Sequence, residues 1–292
     1  MNIAIIGSGG DGAGMNMCLY QLCKSLKNHN IKLFYRGYQG LIDNSVAQFS
    51  INQLKEVKNK GGIIIKSSRS PEFMTKQGFE KAINTLKKHS IDVLIVMGGN
   101  GSLKGSKEIV KAGINVVFVP TTIDNDIEES DYCMGFDTAV ENAVDFVNKV
   151  DTSMQAFDRT CIYEVMGRHC EDIANAVTQK TNSDFCYTTK SKKTDMLKKI
   201  KEVLKTGVSP KIILQENVIN ADELKAYIQK NISDIDVKVA IVGYVQRGGN
   251  ATAKELGMAK GFAGQVVKAI NNNQKNVMIC YKNNQGFMAN KI

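Results

Sequence analysis

Short apolar runs alternate with amphipathic stretches along the whole chain. Ile3-Ala4-Ile5-Ile6, Val93-Leu94-Ile95-Val96-Met97 and Val116-Val117-Phe118-Val119 carry no polar interruption, as strands buried on both faces do. The pattern predicts strands at 2–7, 31–35, 63–66, 92–97, 115–119, 160–165, 184–187, 211–215, 237–244 and 277–281. Between them, helical spacing of apolar residues predicts helices at 14–28, 51–59, 75–89, 102–112, 137–149, 171–180, 193–206, 220–231 and 252–271. Such alternation gives an α/β fold with helices on mostly parallel sheets. Its connecting loops share a sheet edge.

Composition narrows the function classes. At 292 residues the chain holds two ordinary domains or one large one. No apolar run approaches the roughly eighteen residues of a membrane span. Met1 leads straight into a predicted strand with no signal peptide ahead of it. The cysteine count is seven, an odd number with no C-x-x-C pair, which reads as reduced thiols in a cytoplasmic protein. The net charge of +9 comes from lysines spread along helical faces, with no basic block interleaved with aromatics, so nucleic acid is not the expected partner. Arginine is scarce: Arg36, Arg69, Arg159, Arg168 and Arg247 are all there is among 38 basic residues. Four of them stand in loop-like or strand-end contexts, where a planar guanidinium binds phosphate in a way lysine cannot.

Two loops carry candidate chemistry. Gly98-Gly99-Asn100-Gly101-Ser102 follows a predicted strand and opens a helix, so its backbone N–H groups can approach a phosphate. The plain alternative is a strand-to-helix turn capped by Ser102. Pro120-Thr121-Thr122-Ile123-Asp124-Asn125-Asp126 follows the next strand. Extended backbone there puts Asp124 and Asp126 on one side, where one carboxylate takes a proton from an attacking hydroxyl while the other positions it or a metal. Its bland reading is an Asx-rich turn. A third loop, Gly7-Ser8-Gly9-Gly10-Asp11-Gly12, matches G-x-G-x-x-G. Asp11 puts a negative charge where a dinucleotide pyrophosphate would sit, which argues against NADP. No Walker-type glycine-lysine loop occurs, and three scattered histidines, His29, His89 and His169, make no metal cluster.

Taken together these motifs resemble the phosphofructokinase A family. The matching pieces are Ser8-Gly9-Gly10-Asp11, Gly14-Met15-Asn16, Arg69-Ser70-Pro71-Glu72-Phe73, Gly98 to Ser102, Pro120 to Asp126, Gly135 to Ala139, Glu164 to Arg168 and Gln246-Arg247-Gly248-Gly249, in family order over nearly the whole chain. The resemblance implies two Rossmann-like three-layer αβα domains with the active site in the cleft between them. The larger, nucleotide-binding domain would take 1–135 and 247–284, and the smaller, sugar-phosphate-binding domain 136–246 and 285–292. The implied reaction moves the γ-phosphate of ATP to the 1-hydroxyl of fructose 6-phosphate, a step of glycolysis. Asp124 would be the general base, with Thr122, Asp126 and Arg168 in support. Gly10, Arg69, Ser70, Gly98, Gly99, Asn100, Gly101, Ser102 and Gly105 would hold ATP. Thr122, Asp124, Met166, Gly167, Arg168, Glu216, Tyr244 and Arg247 would hold the sugar phosphate. Arg159 and Lys238 would reach it from a neighbouring subunit of a homo-oligomer, usually a tetramer. Mg2+ would sit at Asn100 and Asp126.

Several positions depart from the family pattern. Asn100 stands where the family carries the Asp that helps hold magnesium, and an amide brings no charge to a hard cation. Lys238 replaces an Arg and Tyr244 a His. Thr121 stands where ATP users carry Gly and pyrophosphate users Lys, while Gly101 favours ATP. The positions of the usual effector-site arginines are Tyr20, Lys24, Ser45 and Asp151, so weak or absent control by ADP and phosphoenolpyruvate is expected. The alternatives are a catalytically weakened sugar-phosphate sensor or partner subunit, a kinase for another phosphosugar, and a pyrophosphate-dependent enzyme.

Overall fold

Side chains on a strand alternate between two faces, and the strands of this chain feed two cores at once. In a computed structural model describing residues 1–292, Ile3 and Ile5 enter one hydrophobic cluster while Ala4 enters another. Val93, Ile95 and Met97 likewise oppose Leu94 and Val96, and Val117 and Val119 oppose Val116 and Phe118. A sheet buried on both faces must be covered by helices on both faces.

The chain forms two compact units, Met1–Asp137 with Gly249–Ile292, and Thr138–Gly248. In the first, the elements run β1 (Asn2–Ser8), α1 (Met15–Ser25), β2 (Asn30–Phe34), α2 (Gly37–Ile42), β3 (Val46–Ala47), α3 (Ile51–Val57), a 3-10 turn at Glu72–Met74, α4 (Lys76–Lys88), β4 (Val93–Gly98), α5 (Asn100–Lys111) and β5 (Asn115–Pro120). Helix α6 (Phe136–Gln155) starts at its end and continues into the second unit. There follow β6 (Thr160–Val165), α7 (Asp172–Lys180), β7 (Phe185–Tyr187), α8 (Lys193–Leu204), β8 (Lys211–Gln215), α9 (Ala221–Asn231), β9 (Val237–Ile241) and a 3-10 turn at Gly243–Arg247. The chain then returns to the first unit with α10 (Ala253–Asn271), β10 (Val277–Lys282) and β11 (Gly286–Lys291).

The first unit holds a seven-stranded sheet in the order β11-β10-β5-β4-β1-β2-β3. All its pairings are parallel except those of β3 with β2 and β11 with β10. Helices α1 and α10 supply Met15, Leu19, Leu22, Phe262 and Val266 to one core. Helices α2, α4 and α5 supply Leu41, Ala82, Leu86, Leu103 and Ile109 to the other. The strand order reverses between β1 and β4, the switch point where open α/β sheets bind ligands beyond the carboxyl ends of their strands. The second unit holds four parallel strands in the order β7-β8-β6-β9. Ile162, Ile212 and Val237 pack there with Met196 and Ile200 of α8 and Leu224 and Ile228 of α9. No helix is long and apolar enough to cross a membrane.

The structure corrects some expected elements. Residues 63–66 form no strand: Gly62 and Lys66 have φ of +72° and +58° and the segment turns on a Lys66 N to Ile63 O bond of 2.9 Å. Its isoleucines pack against the α1 side of the core, with Ile65 fully buried, and Asn16 Oδ1 accepts from Ile64 N at 2.8 Å. The strand expected over 237–244 stops at Ile241, because Gly243–Arg247 winds into a 3-10 turn. Helix α6 runs on to Gln155. Residues 285–292 were expected in the smaller domain. Strand β11 instead pairs antiparallel with β10 along six residue pairs, and Phe287 seats on Phe262 with ring centroids 5.0 Å apart.

Candidate active site

One group of candidate residues is built in the first unit, at the carboxyl ends of β1, β4 and β5. Gly98 closes β4 where a Cβ would stand 2.5 Å from Ser102 Oγ and 2.7 Å from Ser8 O, so glycine is required by packing. Ser102 Oγ donates to Ser8 O at 3.1 Å, and its carbonyl accepts from the Tyr38 hydroxyl at 2.6 Å. Ser102 therefore spends its side chain on tying the glycine turn to β1, leaving its backbone N–H for any anion. Gly105 is likewise a packing residue: its missing Cβ makes room for the stacked rings of Tyr38 and Phe73, 4.1 Å apart. Gly101 differs, with open space where its Cβ would be. Asn100, Gly101 and Ser102 form the first turn of α5, whose N–H groups lack intrahelical partners and whose dipole favours an anion.

The acidic loop is hydrogen-bonded onto this turn. Thr121 N donates to Gly98 O at 2.8 Å, and Asn100 Nδ2 donates to Asp126 O at 3.0 Å. Between these points Thr122 Oγ1 accepts from Asp124 N at 3.1 Å, a local turn that pins the Asp124 backbone. Asn125 sits at φ +55°, a left-handed conformation Asn tolerates, and its Oδ1 accepts from Cys133 N at 2.8 Å. Asp124 is half-buried and Asp126 is exposed. Arg69 and Gly10 are exposed on neighbouring loops, and Ser68 O accepts from Gly9 N at 3.2 Å to hold those loops together. Ser70 Oγ donates to Gln39 of α2 and accepts from Phe73 N, so it ties this segment to α2.

Another group of candidate residues lies in the second unit, at the carboxyl ends of β6 and β8. The loop Met166-Gly167-Arg168 needs φ of +149° at Gly167 and +52° at Arg168. Three side chains hold it there. Glu216 Oε1 accepts from Gly167 N at 3.0 Å and Arg168 N at 2.7 Å, Gln246 Oε1 accepts from Met166 N at 2.9 Å, and Gln215 Nε2 donates to Arg168 O at 3.2 Å. Gln215 escaped the sequence reading, and Gln246 entered it only as part of the Gln246-Arg247-Gly248-Gly249 motif, with no role of its own. The signal for Gln215 was position alone, one residue before the candidate Glu216. Burial, with the Glu216 carboxylate close by, raises the Glu164 carboxyl above its ordinary range. Arg247 lies over the ring of exposed Tyr244, 5.1 Å from its centroid. Arg159 and Lys238 converge on one carboxylate, Asp236, at 2.8 and 2.9 Å. Lys238 first, and then Arg159, hold its pKa below the usual range.

Two of the four expected effector positions, Tyr20 and Asp151, are engaged within their own units. Tyr20 is buried beneath Lys58, and Asp151 accepts from Tyr163 and pairs with Lys211 at 3.5 Å. Cys18, Cys161 and Cys280 are buried, and burial pushes their thiols up to about 12, 11 and 11, out of the nucleophilic range.

Comparison with known proteins places the chain in a family. The phosphofructokinase family profile matches residues 2–270. An ATP-dependent 6-phosphofructokinase of Clostridium botulinum (strain Loch Maree / Type A3) is 33% identical over 289 residues, 97% of this chain and 90% of that protein. A probable ATP-dependent 6-phosphofructokinase of Malacoplasma penetrans is 36% identical over 288 residues, 95% of this chain and 89% of that one. The crystal structure of Pichia pastoris phosphofructokinase in the T-state superposes with a TM-score of 0.91 at 24% identity, which speaks to the fold. It covers 99% of this chain, and this chain spans 34% of its length. The chain belongs to the phosphofructokinase family.

Proposed function

We propose that the chain is an ATP-dependent 6-phosphofructokinase of the cytoplasm, transferring the γ-phosphate of ATP to the 1-hydroxyl of fructose 6-phosphate. The observation that carries this reading is the bonding of the acidic loop onto the glycine turn at Gly98–Thr121 and Asn100–Asp126. It puts Asp124 on the same framework as a helix N-terminus that is open at Gly101. Relatives of 33% and 36% identity bearing that activity in their names support it.

In this reading the N–H groups opening α5, with Arg69 and the Gly9–Gly10 loop, hold the nucleotide phosphates. The 1-hydroxyl of the sugar gives its proton to Asp124, whose backbone N–H is pinned by Thr122 Oγ1. Phosphoryl transfer is mostly positioning and charge stabilisation. Arg168, on a loop fixed by Glu216, Gln215 and Gln246, supplies a positioned cation. Met166, Gly167, Glu216, Tyr244 and Arg247 complete the sugar-phosphate group. No cluster of three or more His, Cys, Asp or Glu stands ready for a metal. Magnesium needs none, since one or two carboxylates with substrate phosphates and water suffice. The exposed Asp126 carboxylate fits that role beside Asn100. The bound ion would neutralise phosphate charge. Arg159 and Lys238 serve a neighbouring copy in a homotetramer, released from Asp236 by the sugar phosphate.

A coupled assay with fructose 6-phosphate, comparing ATP with pyrophosphate in the presence of Mg2+, tests this reading. Turnover with ATP and none with pyrophosphate is expected. No turnover with either donor sinks it.

A further inference from the structure

Asn100 is exposed and opens α5, yet its amide is spoken for: Nδ2 donates 3.0 Å to the backbone carbonyl of Asp126, twenty-six residues on. The amide orientation is dictated by its partner. Turned over, Oδ1 would face a carbonyl oxygen with no proton between them. A carboxylate of the same shape has no hydrogen to give at neutral pH. The acidic loop is held by backbone bonds at its start, through Thr121 and Thr122, and by Asn125 in its middle. Past Asn125 the backbone emerges from a left-handed residue, and the Asn100 amide takes hold of the next carbonyl.

We infer that Asn100 is a positioning residue: its side-chain amide straps the acidic loop to the phosphate loop, and the contribution of position 100 is this donated hydrogen bond and not a metal-coordinating oxygen. The inference rests on reading these loops as the phosphoryl-donor site. It has an unusual energetic consequence. The first turn of α5 carries no acidic residue, and a carboxylate there is favoured by the helix dipole. An Asp at 100 therefore helps the helix while releasing the loop, so stability and loop order move in opposite directions.

The test uses the full-length protein with Asn100→Asp and Asn100→Ala. Both are expected to speed hydrogen exchange in 121–127 about three- to tenfold, the equivalent of one lost hydrogen bond. Both are expected to lower kcat by a larger factor than they raise KM for fructose 6-phosphate, because Met166, Gly167, Arg168, Glu216, Tyr244 and Arg247 of its binding group are untouched. The Asp variant melts at or above the wild-type temperature. Mn2+ binding to Asn100→Ala, read by paramagnetic resonance with a non-hydrolysable ATP analogue, stays within about twofold of wild type. Unchanged exchange in both variants overturns the strap, as does a rise in kcat for Asn100→Asp or a tenfold loss of Mn2+ affinity in Asn100→Ala. Exchange requires no turnover. An inactive wild-type protein would thus refute the kinase reading while exchange still decides the strap.

Discussion

A Cβ at Gly98 would press on both the Ser102 hydroxyl and the Ser8 carbonyl, while one at Gly101 would meet nothing within 4 Å. The two glycines of one short loop therefore answer to different demands. Gly98→Ala is expected to lose about 1–3 kcal/mol, from overpacking against backbone, and to melt lower. Gly101→Ala is expected to melt at or above wild type, since Ala suits a helix better by about 1 kcal/mol at most. Its KM for ATP should rise, because the open space there is room for phosphate. Equal melting losses in both variants would contradict this division. Glu164 gives a pH prediction. Its folded pKa is raised, so the folded state holds its proton over a window where the unfolded chain has lost it. Stability from this group is present at low pH and falls as pH rises through the folded pKa. Glu164→Gln should thus raise the melting temperature near pH 8 and lose that advantage as pH falls to its ordinary value of 4.5. A lower melting point near pH 8 would mean that the carboxylate makes a stabilising contact.

Among the elements, β11 shows how a hairpin partner replaces sequence pattern. Its residues Gly286–Lys291 lack a long apolar run, and nothing in them alone predicts a strand. What makes them one is β10, which offers a free edge across a tight turn at 283–285. Phe287 anchors the pairing against Phe262 and Tyr281, with ring centroids 5.0 and 5.1 Å away, in the space left by Gly261 of α10. Phe287→Ala is expected to cost about 2 kcal/mol, less than a fully buried Phe, and to loosen the terminal strand first. Denaturant melts and hydrogen exchange of 286–291 measure both effects. The opposite failure occurred at 63–66, where three isoleucines look like a strand in sequence. Flanking backbone with positive φ turns them into a plug for the core. A local apolar run reports burial, and only its hydrogen-bond partners decide whether it is extended.

For the whole molecule, the proposed sharing of Arg159 and Lys238 between copies has a direct test. Asp124→Asn and Arg159→Ala variants are each expected to be nearly inactive alone. Mixed after dissociation and reassembled, they should regain activity through sites that combine an intact Asp124 with a partner's intact Arg159. Mixtures that never exceed the sum of the separate variants would show that each chain uses its own arginine. Within the isolated chain both cations rest on Asp236, which leaves them folded and neutralised until an anion competes.

The sequence by itself determined the strand runs of the two-sided sheet and the order of the motifs. Periodicity and spacing are local, and parallel strands buried on both faces leave an uninterrupted apolar signature. It also singled out Asp124, Arg168 and the glycine turn, because their residue types are tied to charge and to backbone freedom. The tertiary structure alone decided what each side chain is spent on. The Ser102 hydroxyl ties the glycine turn to β1 and the missing Cβ of Gly105 makes room for two rings, Gln215 and Gln246 emerged as supports of the Arg168 loop, and Asn100 became a donor to a carbonyl in another loop. The reason is physical. A hydrogen bond is a property of two partners, and partners brought together by the fold lie tens of residues apart, beyond the reach of any local pattern.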